Sequence, residues 1–320
     1  MDCPLIEGPL NKKHDGHAPV AIKPRQIPIS LYRRPPMTIL HILTVIFILI
    51  GSILPDLLFG VANVFFVKCA LLLLGAAVCL LHKKWQPLWP LALILLVIQL
   101  SFKASELIRN AAWWQPLFEW AGFFSGVAGN VFVKVIGILP VAGALLLLFK
   151  TPPASFLAPG NLKIKADAIP WLGIKGGRVP WGRLSWISGL CIMLGTVVLS
   201  IVTSIGVKTA PTYLRLLTNL PLILLLAVVN SFCEGLVFRS AILSPLKGNF
   251  GKTFVLLMPA LFFGIAHYEG IPGGILGAVM SVVLGYYMSL SMYETEGFLS
   301  GWIIHALQDV AIFSTLALLG

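Results

Sequence analysis

Long stretches of this chain carry no full charge. Met37 to Leu54, Leu184 to Val207 and Leu216 to Cys233 contain no Asp, Glu, Lys or Arg. The hydrocarbon core of a bilayer is about 30 Å thick, so a helix needs roughly 20 apolar residues to cross it. Inside that layer every backbone N–H and C=O must find a partner within the protein, which helices provide. Only 11% of the 320 residues are charged, against about 25% in a soluble domain. The expected fold class is all-α, a polytopic transmembrane helix bundle of eight or nine helices.

The spans are expected near 37–54, 57–81, 87–108, 126–149, 184–207, 216–245, 253–268, 271–292 and 298–318. Between them, "NAAWWQPLFEWAGFF" (110–124) is aromatic and broken by Pro116, and it reads as interfacial because Trp favours the headgroup level. Three regions follow: a basic tail over 1–36, helices and a loop over 37–183, and a polar-bearing group of helices over 184–320. The tail has no short apolar core followed by a small-residue cleavage site, so the first apolar run reads as a retained helix.

The net charge of +11 raises nucleic-acid binding, but its distribution speaks against that partner. Basic residues gather before the first span, in the His82–Lys84 loop, between Lys150 and Arg183, and at Lys247 and Lys252. This is what the positive-inside rule produces. It places the N-terminus in the cytoplasm and the chain in a membrane, expected to be the bacterial cytoplasmic membrane, with the lipid bilayer as its surroundings. Lys103, Arg109, Lys208 and Arg215 run against the scheme. The five cysteines form no CxxC pair, so neither a disulfide framework nor a thiolate metal site is indicated.

Against this background six ionisable residues stand out in the last hundred positions: Glu234, Arg239, His267, Glu269, His305 and Asp309. An Asp, Lys or Arg at the centre of a span costs about 2.5–3.5 kcal/mol on insertion scales, so such residues line a cavity or pair with one another. Glu234 lies thirteen residues before Lys247, and His267 fifteen after Lys252. His305 and Asp309 lie nine and thirteen after Glu296. At 1.5 Å per residue, all four are roughly 13–23 Å from one predicted face. His305 and Asp309, four apart, share a helix face. For one such residue alone, helix packing is an equal explanation, and His41 is read that way, while Lys68 and Lys134 are read as snorkelling or facing other helices.

A carboxylate beside an imidazole can deprotonate a water, and a second imidazole can stabilise an oxyanion. Together they suit amide hydrolysis. A serine route fits less well, since no GxSxG elbow occurs. Two His and a carboxylate also form a zinc-type ligand set, but the HExxH helix is absent.

Three short motifs lie in order on separate apolar helices: Glu234-Gly235-Leu236-Val237-Phe238-Arg239, Phe263-Gly264-Ile265-Ala266-His267, and His305-Ala306-Leu307-Gln308-Asp309. They resemble the E-E-x-x-x-R, F-x-x-x-H and H-x-x-x-N/D motifs of the CPBP family, which holds the CAAX prenyl proteases and the bacteriocin-processing Abi proteins. The resemblance covers roughly 184–320. It implies an intramembrane endopeptidase acting on a peptide or membrane-anchored protein, with no metal and no cofactor. By position, Glu234 is similar to the water-activating Glu, His267 to its partner, and His305 with Asp309 to the oxyanion pair. Arg239 and Phe263 stand in supporting positions.

Two positions depart from the family pattern. Gly235 replaces a second acid, which would lie four residues before Arg239, and Asp309 stands where the prenyl-protease branch has Asn. Arg239 is therefore expected to bond across helices, most plausibly at the Glu294–Glu296 turn. The missing acid also leaves open a catalytically inactive relative serving as an immunity or scaffold protein. A zinc peptidase or ion transporter built on the same cluster is the third reading. The glycine-rich stretch from His267 to Met280 reads as close helix packing, or as a helix break beside the site.

Overall fold

The structure, a computed structural model, describes residues 37–60, 64–202, 209–270 and 273–319. The basic tail over 1–36 lies outside them, as do Lys208 and part of the glycine-rich stretch. The described helices are α1 (Met37–Gly51), α2 (Leu54–Phe59), α3 (Val64–Leu81), α4 (Trp89–Arg109), α5 (Ser125–Phe149), α6 (Trp181–Ser200), α7 (Ala210–Thr218), α8 (Leu220–Gly235), α9 (Ala241–Leu246), α10 (Lys252–Ala266), α11 (Gly274–Thr295) and α12 (Leu299–Leu319). Among the described residues, seven helical segments are long and apolar enough to cross a membrane, with α8 and α9 counted as one. Helices α1 and α10 take up the two remaining expected spans, but at 15 residues each they are shorter than a full crossing. The protein is an integral membrane helix bundle. Segment 110–124 is largely a 3-10 helix, Gln115–Phe124, that leaves Trp113 and Trp120 exposed.

Proline and glycine set the helix boundaries. Pro55, Pro90 and Pro221 stand in the first turns of α2, α4 and α8, where a missing N–H costs nothing. Gly60 ends α2 in the left-handed conformation, φ 54°. Helix α12 packs on α6 and α8, α10 on α11, and α4 between α3 and α5. Small residues make these contacts close. Gly189 of α6 faces Ile304 and Leu307 of α12, and a side chain there would clash with them.

The 150–183 loop is fastened to the turn between α11 and α12. Asn161 N–H donates to Thr295 O at 2.8 Å, and Phe298 N–H to Ala158 O at 2.7 Å. Gly297 meets the backbone of Gly160 so closely that neither could carry a side chain. Glu294, nearly buried, accepts from Trp181 Nε1 at 2.8 Å, from Asp167 N–H at 3.0 Å and from Lys252 at 2.7 Å. Lys247 bonds Glu296 at 2.7 Å. The basic loop and turns thus collect at one end of the bundle. The start of α1 joins them, since His41 packs edge-on against Phe250 and Phe254.

Candidate active site

The helix that carries Glu234 does not run evenly. Between α8 and α9, Leu236–Ser240 form a π-helical turn, a feature frequent at functional sites. This wider turn alters the α-helical geometry in which a residue five positions on looks away. Glu234 and Arg239 both turn toward α12, where His305 stands between them. His305 Nδ1 is 3.2 Å from Arg239 Nη1, and His305 Nε2 is 3.6 Å from Glu234 Oε2.

The expected partner for Arg239 at the Glu294–Glu296 turn is therefore corrected. Both glutamates are occupied by lysines and by the 150–183 loop, and Arg239 lies deeper, 1% exposed. Its guanidinium lies over the Phe263 ring, 4.3 Å from the centroid, a cation–π contact suited to a planar cation. Nε and Nη2 have no hydrogen-bond partner among the described residues.

Hydrogen-bond chemistry assigns the two imidazole tautomers. Arginine only donates, so His305 Nδ1 must accept and its proton must sit on Nε2. His267 Nδ1 lies 2.9 Å from Phe263 O, and a carbonyl only accepts, so this ring carries its proton on Nδ1. In the neutral ring Nε2 is then the acceptor, and it faces Glu234 Oε2 at 3.9 Å. One carboxylate oxygen is thus flanked by an imidazole donor and an imidazole acceptor. Phe263 organises both, with ring centroids 4.1 Å from His267 and 5.5 Å from His305.

The other oxygen of Glu234 is already taken. Lys134 Nζ, from α5, bonds Oε1 at 2.7 Å and Asn230 Oδ1 at 2.6 Å. Asn230 Nδ2 donates to Glu234 Oε1 at 3.2 Å and to Asp309 Oδ2 at 2.9 Å. Asp309 Oδ1 stands 3.6 Å from His305 Nε2, beyond a direct hydrogen bond. Glu234, His267, His305, Asp309, Arg239 and Phe263 therefore converge on one cluster, and Glu269 lines the cavity beside it.

Sequence reading missed two members of this cluster. Asn230 lies one helical turn before Glu234 and on its face. Lys134 was assigned to snorkelling or packing. It lies sixteen residues before Lys150, about 24 Å along the helix, close to the depth of Glu234 and His267, and that nearness was the available signal.

Gly235 faces Arg239 as expected, but the room is filled. A Cβ there would stand 2.8 Å from Phe298 Cζ and 3.9 Å from Arg239 Nη1. Phe298 belongs to an aromatic group with Phe232 and Trp302.

A cavity of about 530 Å³ opens beside Glu234, with Lys134, Val237, Phe238, His267 and Glu269 in its wall. It runs toward the end of the bundle where α4 finishes at Arg109 and α10 gives way to the 3-10 turn His267–Glu269. A second cavity of about 300 Å³, holding the ion pair of buried Lys68 with exposed Asp56 at 2.6 Å, shares Phe102, Glu106, Phe238 and Ala266 with it.

No curated protein and no solved structure matches the chain. Residues 216–311 match the family model described as type II CAAX prenyl endopeptidase Rce1-like. That segment is well under half of the chain. It includes Glu234, Arg239, Phe263, His267, His305 and Asp309 and excludes Lys134. The segment that carries this cluster is thus similar to the CAAX-type endopeptidases that the family model describes.

Proposed function

We propose that this protein is an intramembrane endopeptidase that hydrolyses a peptide bond in a membrane-associated protein or peptide with a glutamate-activated water. The observation that carries this reading is the division of labour around Glu234. Oε1 is held by Lys134 and Asn230, while Oε2 faces one imidazole acceptor and one imidazole donor.

A water between Glu234 Oε2 and His267 Nε2 donates a hydrogen to each. Its oxygen attacks the scissile carbonyl carbon as Glu234 takes its proton. The carbonyl oxygen gains negative charge and accepts from His305 Nε2–H. The C–N bond then breaks, and the proton on Glu234 passes to the leaving nitrogen, so the carboxylate is regenerated. Asp309 acts as a positioning group: its Oδ2 holds Asn230, which in turn holds Glu234. Arg239 keeps the His305 proton on Nε2. With Arg239 at Nδ1, His305 Nε2 carries a proton and is not free to ligate a metal, which favours a metal-free route over the zinc reading.

The inactive-relative reading draws on the Lys134–Glu234 contact, because the ammonium at 2.7 Å ties the carboxylate into an ion pair, and on Gly235. Turnover separates the two. Purified protein in liposomes is incubated with a panel of prenylated and unprenylated quenched-fluorescence peptides, and products are mapped by mass spectrometry. Cleavage by the wild type that is lost in Glu234→Gln and His305→Ala at equal protein level, and unaffected by chelators, supports the proposal. A wild type that cleaves nothing, or no faster than Glu234→Gln, supports the inactive relative.

A further inference from the structure

The two ends of the bundle differ in charge, and the active-site cavity opens at only one of them. The His82–Trp85 turn, the 150–183 loop and the 247–252 turn, with ten of the sixteen described Lys and Arg, lie at the end away from the cavity. The start of α1 lies there too. At the cavity end, Lys103 is paired with Glu106 at 2.9 Å and Lys68 with Asp56 at 2.6 Å. That leaves Arg109 and Arg215. Positive loops stay on the cytoplasmic side, so the basic end is cytoplasmic. The cavity mouth, bounded by Arg109, Glu269 and Gly270, faces the opposite side. Exposed Trp113 and Trp120 mark the headgroup level at that end.

The path from the basic end to Glu234 is closed. Leu236, Ile242, Leu243 and Leu246 of the intervening turns are buried, and the cavity of about 810 Å³ at that end, lined by Lys83, Ser244 and Lys247, includes none of the cluster residues. We infer that the catalytic cavity is entered from the extracytoplasmic side, and that its substrate is a polypeptide segment already across the bilayer: the extracytoplasmic end of a membrane protein, or an exported peptide. This inference rests on the peptidase reading for its substrate, but its geometric part does not depend on turnover.

The test is topological. Single cysteines are introduced at exposed sites, Asn110→Cys and Glu269→Cys at the cavity end and Lys84→Cys and Lys175→Cys at the basic end, with the unsubstituted protein as the blank. Intact cells of a bacterial host are treated with a membrane-impermeant maleimide before and after permeabilisation. Positions 110 and 269 should label in intact cells, and positions 84 and 175 only after permeabilisation. The opposite pattern, or labelling of both ends in intact cells, overturns the inference. The substrate class is tested with the peptide panel added outside vesicles. Right-side-out vesicles should cleave, and cleavage confined to inverted vesicles overturns the assignment. If the labelling pattern holds while Glu234→Gln retains full turnover, the orientation stands and the glutamate mechanism falls.

Discussion

Lys134 of α5 bonds Oε1 of Glu234 at 2.7 Å across 100 residues of sequence. The contact fixes the rotation of the carboxylate and so decides which oxygen meets the two imidazoles. Lys134→Met should lower kcat about 100-fold, the scale on which a small misplacement of a reacting group is felt, and change KM little. Lys134→Arg should recover activity to within about tenfold of wild type, since it restores a donor. Combined with Glu234→Gln, Lys134→Met should cost nothing further, because the two residues act as a unit. Steady-state kinetics on the three variants, with thermal unfolding as the check on folding, decide this. Loss that Arg does not restore and that tracks a lower Tm would mean a packing role.

Arg239 is a positioning residue for His305. The Nη1–Nδ1 contact at 3.2 Å requires His305 to be protonated on Nε2, whereas the Phe263 carbonyl requires His267 to be protonated on Nδ1. Nitrogen-15 spectra of the wild type should therefore show the two rings as opposite neutral tautomers. In Arg239→Gln the His305 signals should lose this bias, and kcat should fall by about 100-fold or more. Arg239→Lys should be nearly as impaired, since an ammonium lacks the planar fork that both stacks on Phe263 and reaches the ring nitrogen.

The bundle and the depth of the cluster were legible because apolar run length and helix rise are local properties of the chain. The Glu–His–His set followed from them, since three charges at one depth need a shared cavity. The Arg239 partner was not legible. It depends on a π turn at 236–240, whose i+5 geometry leaves no composition signal. Lys134 was misjudged for a related reason. A lone Lys in an apolar helix looks the same whether it snorkels or points inward, and only the packing of α5 against α8 distinguishes the two. The role of Glu294 was also hidden, because its partners come from a loop more than a hundred residues earlier.

Gly235 is small because Phe298 occupies the space beside it. Gly235→Ala should destabilise the protein by about 1–3 kcal/mol through overpacking. Gly235→Glu should be worse, and adding Phe298→Ala should recover part of the loss by making room next to Arg239. Denaturation midpoints in detergent for the three variants measure this. An unchanged midpoint for Gly235→Ala would show that Phe298 moves aside at no cost.

Glu294 anchors the 150–183 loop through Trp181, Asp167 and Lys252. Glu294→Ala should make Lys163, Lys165, Lys175 and Arg178 sensitive to trypsin, whereas the wild-type loop resists. The neighbouring Asp167–Lys252 hydrogen bond at 2.8 Å holds the Asp167 carboxyl below its usual range. Its contribution is thus present at neutral pH and lost as pH falls through the depressed value. Asp167 is largely exposed, so Asp167→Asn should change stability at neutral pH by at most a few tenths of a kcal/mol.

The central claim is that Glu234 activates water and does not itself attack the substrate. A single turnover in water enriched in oxygen-18, with enzyme in excess over a cleavable peptide, tests it directly. The product carboxylate should carry one solvent oxygen, and the Glu234 side chain, recovered by digestion and mass spectrometry, should carry none. Oxygen-18 in Glu234, with unlabelled product, would mean an acyl-enzyme intermediate on that carboxylate and would contradict the mechanism.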